Sequence, residues 1–188
     1  MNVLHLSYRG LGGGGAAVAT RRLHFALRSA GIDSMILCAE NPDESSNIKK
    51  FRQSRIRRRV DPLLRRISGN VGLDNLFDLS SVGIKKVKAW VDANVVSVHS
   101  YADFFSYLAR PSLTESKPTV MTLHDMWNYT GHCYVSLDCD RWKSGCGKCP
   151  YPDMYRPIRR DSSHMEWRLK DWSYIRSKLT IVAPSSPW

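Results

Sequence analysis

The run Gly10-Leu11-Gly12-Gly13-Gly14-Gly15 lies between a short apolar strand and an amphipathic helix, and it constrains this chain more than any other feature. Val3-Leu4-His5-Leu6-Ser7 before it reads as a buried strand. After it, Ala16, Ala19, Leu23, Ala26 and Leu27 share one face of a helix that Gly31 stops. Ser34-Met35-Ile36-Leu37-Cys38-Ala39 then reads as a second strand. Strand, glycine turn, helix and strand make a βαβ unit with a right-handed crossover. The turn satisfies G-x-G-x-x-G. Its glycines permit positive φ and close backbone approach, and the helix start offers free N–H groups to a phosphate. Glu40 sits where a dinucleotide's ribose would be bound. One reading of the unit is therefore an NAD(P)-dependent oxidoreductase. Another is a turn whose glycines only pack helix against sheet.

Three further strands follow, over Asn94–His99, Pro118–Leu123 and Leu179–Ala183. Helices are expected over Ile84–Val91, over Ala102–Ala109 (ending before Pro111) and over Ser162–Ser177. Asn41–Asn47 reads as a loop, and Asn70–Gly83 has no assignable pattern. Strands alternating with helices predict an α/β domain over residues 1–188: a Rossmann-like open parallel sheet of five strands, covered on both faces. Ligands of such sheets bind at the carboxyl ends of the strands. Two strands end there in histidine, at His99 and at His124, and Asp125 follows the second. A histidine at such a point can donate a hydrogen bond to a sugar hydroxyl or a phosphate, or can satisfy loop backbone groups instead.

The formal net charge is +11, and most of it is local. Lys49, Lys50, Arg52, Arg55, Arg57, Arg58, Arg59, Arg65 and Arg66 face only Asp61 in that stretch. Ile56, Val60, Leu63, Leu64 and Ile67 recur at helical spacing within it, and Pro62 is expected to kink or interrupt that helix. Three readings stand: a solvated basic face, a helix lying on an anionic membrane surface, or a polyanion-binding module. No aromatic stacking pattern accompanies the arginines, which argues against nucleic acid. On the membrane reading the binding residues are Arg55, Arg57, Arg58, Arg59, Arg65 and Arg66. No apolar run is long enough to span a bilayer, and the start resembles a strand more than a signal peptide. The expected location is the cytoplasm, including its membrane face.

Cys133, Cys139, Cys146 and Cys149 crowd into the segment Trp127–Pro157, which lacks periodicity and reads as a Cys-rich inserted loop. Cys146-Gly147-Lys148-Cys149 can bite one metal, and two more thiols would complete a tetrahedral zinc site. His132 and His164 are substitute ligands. Two disulfides, an iron–sulfur cluster and plain buried thiols are the rivals.

Several segments together carry a resemblance. Gly13-Gly14-Gly15-Ala16-Ala17 with Arg22-Leu23-His24-Phe25-Ala26-Leu27-Arg28 resembles the first loop and helix of family-4 (group 1) retaining glycosyltransferases. Thr122-Leu123-His124-Asp125-Met126-Trp127 is similar to their T-x-H-D-x-W segment. Thr130-Gly131-His132-Cys133-Tyr134, Cys139-Asp140-Arg141-Trp142-Lys143 and Gly145-Cys146-Gly147-Lys148-Cys149-Pro150 resemble a bacterial polysaccharide subgroup of the colanic-acid type. Ile181-Val182-Ala183-Pro184-Ser185 looks like the strand that leads towards the second domain. The resemblance implies half of a GT-B fold, with the active site in a cleft between two Rossmann-like domains. It implies transfer of a hexosyl group from a nucleotide-sugar donor to a polysaccharide or lipid-linked glycan acceptor, with retention and no catalytic metal. Gly12, Gly13, Gly14, Gly15 and His99 would bind substrate, His124 would approach the donor sugar, and Asp125 would orient neighbouring groups. The family's second domain, with its nucleotide pocket and E-x7-E pair, is not found in these residues. The chain is accordingly expected to be the N-terminal, acceptor-side half, inactive alone.

Overall fold

The computed structural model describes residues 1–52, 55–73, 76, 83–155 and 157–184, without the side chains of Glu44 and Arg57. Residues 74, 75 and 77–82 of the unassigned stretch Asn70–Gly83, and the terminal Ser185, Ser186, Pro187 and Trp188, lie outside the described residues. The strands are β1 (Asn2–Arg9), β2 (Asp33–Glu40), β3 (Ile48–Lys50), β4 (Val95–Ser100), β5 (Thr119–Thr122) and β6 (Leu179–Val182). The helices are α1 (Gly15–Ser29), α2 (Arg55–Asn70), α3 (Lys88–Asp92), α4 (Arg110–Ser116) and α5 (Ser163–Ile175). All six strands pair in parallel in one sheet, in the order β3-β2-β1-β4-β5-β6. This is the doubly wound order, and it reverses between β1 and β4, where the connections leave in opposite directions and open a crevice.

Among the described residues the sheet has six strands where sequence predicts five. The addition, β3, pairs Ile48 with Ile36 and buries it in a small cluster with Ile36 and Cys38. Three residues carry too little alternation to be read as a strand.

Residues Val3 to Ser7 are buried without interruption, as expected for a strand covered on both faces. On one face Leu4, Leu6, Val96, Val98 and Met121 join Trp90, Tyr101, Phe104, Phe105, Tyr107 and Trp127 in the main core. Each such side chain contributes about 1.5–3 kcal/mol on burial. The other face is covered by α1, which packs across β1, β2 and β4. Polar groups are buried there too: His5, Ser7, Thr20, His24, Ser97 and His99.

Two prolines behave differently from expectation. The helix predicted before Pro111 is instead a turn, with a 3-10 segment at Tyr107–Ala109, and α4 begins at Arg110 with Pro111 in its first turn. A first-turn N–H has no intrahelical acceptor, so proline loses nothing there. Pro62 lies inside an unbroken α2. Both Pro62 and Arg58 are exposed, so the carbonyl deprived of its donor can turn to water. The apolar stripe of α2 faces outward: Ile56 is 76%, Leu63 59% and Ile67 50% exposed, while Asp61 and Ser68 are buried. Between β5 and α5 the described chain has only 3-10 turns, at Met126–Asn128 and Arg141–Lys143.

Candidate functional site

A cavity of about 690 Å³ opens at the crevice between β1 and β4. Ser7, Tyr8 and Arg9 from the end of β1, Gly14 to Ala17 from the start of α1, and His99 to Asp103 from the end of β4 line it. His124, Asp125, Trp127, Asn128, Tyr134 and Tyr155 complete the wall. Sequence placed Gly14, Gly15, His99, His124 and Asp125 at a site, and the fold gathers these five on one cavity. Gly12 and Gly13 are not among its lining residues; they turn the chain with φ of 65° and 81°.

The glycines of the loop divide by what the fold asks of them. A Cβ on Gly10 would meet the Asn41 carbonyl oxygen at 2.5 Å, so closure of the loop on β2 requires glycine there. Arg21 Nη1 donates to the carbonyls of Gly10 at 3.0 Å and Gly12 at 3.2 Å, and the Leu11 N–H donates to the Asn41 carbonyl at 2.6 Å. Gly14 and Gly15 have no atom within 4 Å of an added Cβ and no positive φ. Nothing in the described protein needs them small. They cap α1 at its positive end, with no side-chain cap and no acidic residue in the first turn.

Three histidines run from beneath the sheet to the cavity. His5 Nδ1 lies 3.3 Å from His99 Nε2, and His99 Nδ1 lies 3.1 Å from His124 Nε2. Ser97 Oγ joins His99 Nε2 at 3.0 Å. The β1–β4 register shifts beside Leu6 and Ser7, so His99 falls at an irregularity of the kind that re-aims side chains near sites. Burial, reinforced by the neighbouring imidazoles, depresses His5 to about 3 and His99 to about 4, and burial lowers His124 as well. The rings are therefore neutral at pH 7, each with one N–H, and their hydrogen bonds must all run one way. Running outward, they leave the proton of His124 on Nδ1. Running inward, they leave a lone pair there. Another buried histidine, His24, is held by Ser34 Oγ at 2.8 Å and the Ser46 carbonyl at 2.9 Å.

Asp125 accepts the Trp127 N–H at 3.0 Å and caps the following turn. Burial raises its carboxyl pKa against the opposing effects of that N–H and of Lys170. The wall behind it rests on charges that sequence did not single out. Lys170, 1% exposed, donates to the carbonyls of Trp127 at 2.8 Å and Thr130 at 3.0 Å, lies over the Trp127 ring, and faces Glu166 at 3.5 Å. Burial lowers its pKa to about 8, with Glu166 opposing the shift. A lysine at one position of a helix carries no local sign that it points inward. The same holds for Arg110, which donates to Tyr101 Oη and stacks on Tyr174.

A second hollow of about 800 Å³ shares Tyr8 and Asp103 with the first and is lined by Lys50, Arg52, Arg58 and Arg65. Glu40 also lines it and is ion-paired with Arg9 at 3.6 Å. Of the arginines expected to meet a membrane, Arg55, Arg58, Arg59 and Arg66 are exposed. The side chain of Arg57 lies outside the description. Arg65 is committed inward: its Nη2 donates to the Asp103 carbonyl at 2.6 Å, and it pairs with Asp103 at 3.3 Å and Asp61 at 3.5 Å.

The cysteines are free thiols. Cys133 and Cys149 come together with His132, while Cys139 and Cys146 line the same small hollow. His164 is elsewhere, bonded through Nδ1 to the Gly145 carbonyl at 2.7 Å. Cys38 is buried apart, its thiol pushed up to about 11, and serves as a small apolar side chain.

The chain is 27% identical over 177 residues to a putative colanic acid biosynthesis glycosyl transferase, WcaC, of Escherichia coli (strain K12). That alignment covers 87% of this chain and 43% of the relative, so the chain spans less than half the length of the protein it matches. No solved structure matches it. The profile of Glycosyltransferase Family 4 matches residues 13–187, from the glycine loop through the last strand, and the chain belongs to that family.

Proposed function

We propose that this domain is the N-terminal, acceptor-side half of a GT-B glycosyltransferase that moves a hexosyl group from a nucleotide-sugar donor to a polysaccharide or lipid-linked glycan, with retention. The observation that carries the reading is the meeting of Gly14, Gly15, His124 and Asp125 on one open cavity at the sheet's switch point. Bond cleavage at the donor builds negative charge on its phosphates. The bare amino terminus of α1 presents its dipole and backbone N–H groups to that charge, and Gly14 and Gly15 let a phosphate approach the backbone. His124, kept neutral, donates from Nδ1 to a donor oxygen when the relay runs outward; this direction also leaves His5 with a lone pair, not an N–H, at the buried Nε2. Asp125 fixes the turn that carries Trp127 and Asn128 into the wall. No step requires a metal.

The neighbouring basic hollow suits an anionic acceptor such as a lipid-linked phosphate. Beside it, α2 presents Ile56, Leu63 and Ile67 together with Arg55, Arg58, Arg59 and Arg66. An exposed apolar stripe flanked by arginines is the pattern of a helix resting on an anionic bilayer. No helix among the described residues is long and apolar enough to cross one. Flotation on vesicles with and without anionic lipid tests this reading, and equal binding to both would exclude its electrostatic part.

The test of the chemistry uses the domain joined to a second Rossmann-like domain of the family. Transfer from a panel of nucleotide sugars, with the product anomer assigned by NMR, is expected for the joined protein and absent for residues 1–188 alone. The Gly15→Val variant should fold, since its Cβ meets open space, and should lose transfer. Transfer at the wild-type rate by Gly15→Val would remove the glycine turn from the site.

A further inference from the structure

The segment that follows the cavity wall has almost no regular structure, yet it holds a compact group of metal-binding atoms. His132 Nδ1 lies 3.9 Å from Cys133 Sγ and 3.8 Å from Cys149 Sγ, and the three atoms are within 4.8 Å of one another. These separations are long for hydrogen bonds. They are close to the edge of a tetrahedron around zinc, about 3.6–3.8 Å for bonds of about 2.0–2.3 Å. Cys146 is the other half of the C-x2-C pair, and its sulfur accepts the Gly131 N–H at 3.2 Å, one residue before His132. Cys139 and Cys146 both line the hollow outside that group of three, and the C-x2-C turn that ties Cys146 to Cys149 favours Cys146 as the fourth ligand.

The surroundings hold the knuckle in place. The Cys149 N–H donates to Asp161 Oδ2 at 2.8 Å, and the Gly147 N–H donates to Ser163 Oγ at 3.1 Å, so the C-x2-C turn is fastened to the start of α5. Gly147 has a φ of 94°, and a Cβ on it would press the His164 side chain at 3.2 Å. Thr130 Oγ1 donates to the Cys133 carbonyl at 2.6 Å, while the Thr130 carbonyl accepts from Lys170. The group is thereby linked to the residues that shape the cavity.

We propose that His132 Nδ1, Cys133, Cys146 and Cys149 hold one zinc(II) ion in a closed tetrahedral structural site, with Cys139 outside the coordination sphere. His132, a substitute ligand on sequence grounds, here takes the place of Cys139 in the four-thiolate set that spacing suggests. Each of the three thiols releases its proton to solvent on coordination, and no ligand position stays open for catalysis. The ion would tie the irregular segment together where it meets the cavity wall.

Elemental analysis of the 188-residue chain, purified in reducing buffer without chelator, should find about one zinc per chain. Cys133→Ser and Cys149→Ser should carry less than about a tenth of that, and Cys139→Ser should carry all of it. As the first two variants can fail to fold, chelator-stripped wild type and Cys139→Ser are also loaded with cobalt(II). Both should give the same visible spectrum, that of three thiolates and one nitrogen in tetrahedral geometry. Loss of metal from Cys139→Ser, or a four-thiolate cobalt spectrum, overturns the ligand set. A folded, metal-free chain with a Cys133–Cys149 disulfide found by peptide mapping overturns the site.

Discussion

His5 is fully enclosed between β1 and α1, and its chemistry follows from that position. Its pKa in the fold is about 3, while an unfolded chain protonates it near the ordinary value of 6.5. The unfolded state thus binds more protons between those values. The stability owed to neutral His5 is fully present above pH 6.5 and is lost as pH falls towards the folded value. His99, at about 4, acts in the same direction. Replacing His5 with Phe should therefore reduce the acid sensitivity of urea unfolding between pH 7 and pH 4.5 by on the order of 2 kcal/mol. Parallel pH profiles for the two proteins would refute the relay's neutrality. His124 is at the other end. On the proposed function, His124→Ala in the domain joined to a second one should lower kcat about 10²-fold or more with a smaller change in KM, because a donor to developing charge acts chiefly in the transition state. A change confined to KM would make it a ground-state contact only.

Among the elements, α2 and α5 both turn charged side chains inward and leave large apolar ones outside. On α2 the inward side holds Asp61, Arg65 and Ser68, and the apolar stripe is left outside. Charge reversal of Arg58, Arg59 and Arg66 together should weaken binding to anionic vesicles by about 10²-fold or more without a shift in Tm, as each basic residue near the surface is worth about 1 kcal/mol. Arg65→Glu should do the opposite: a destabilisation of about 1–3 kcal/mol in denaturant titration, because two attractions to carboxylates become repulsions. On α5, Lys170 and Glu166 are turned inward under Trp127 and Thr130. Lys170→Met should cost about 3–5 kcal/mol, and adding Glu166→Gln should recover part of it. A neutral Lys170→Met would mean that the pair does not support the wall.

At the scale of the molecule, the site belongs to the order of the strands. The reversal between β1 and β4 sets the glycine turn of β1 beside the histidine ends of β4 and β5, and no single element contains the cavity. Its outer side is open, which is why the proposed transfer is expected only when a second domain is joined to this one. Much of this was legible in the residues. The βαβ opening, the parallel sheet and the positions of His99 and His124 follow from local periodicity and from glycine's freedom at a turn, and both act over a few neighbouring residues. The strand β3 and the turn before Pro111 were not legible, because three residues hold no period and proline fits the first turn of a helix as well as it ends one. Which glycines face the cavity and which only bend the chain depended on what packs around each. The contact of His5 with His99 joins positions 94 residues apart, and that of Lys170 with Trp127 joins positions 43 apart. Sequence by itself determined the repertoire of elements and the chemistry at their ends. Only the tertiary structure decided which polar side chains were enclosed and aligned, because burial is a property of residues brought together from distant parts of the chain.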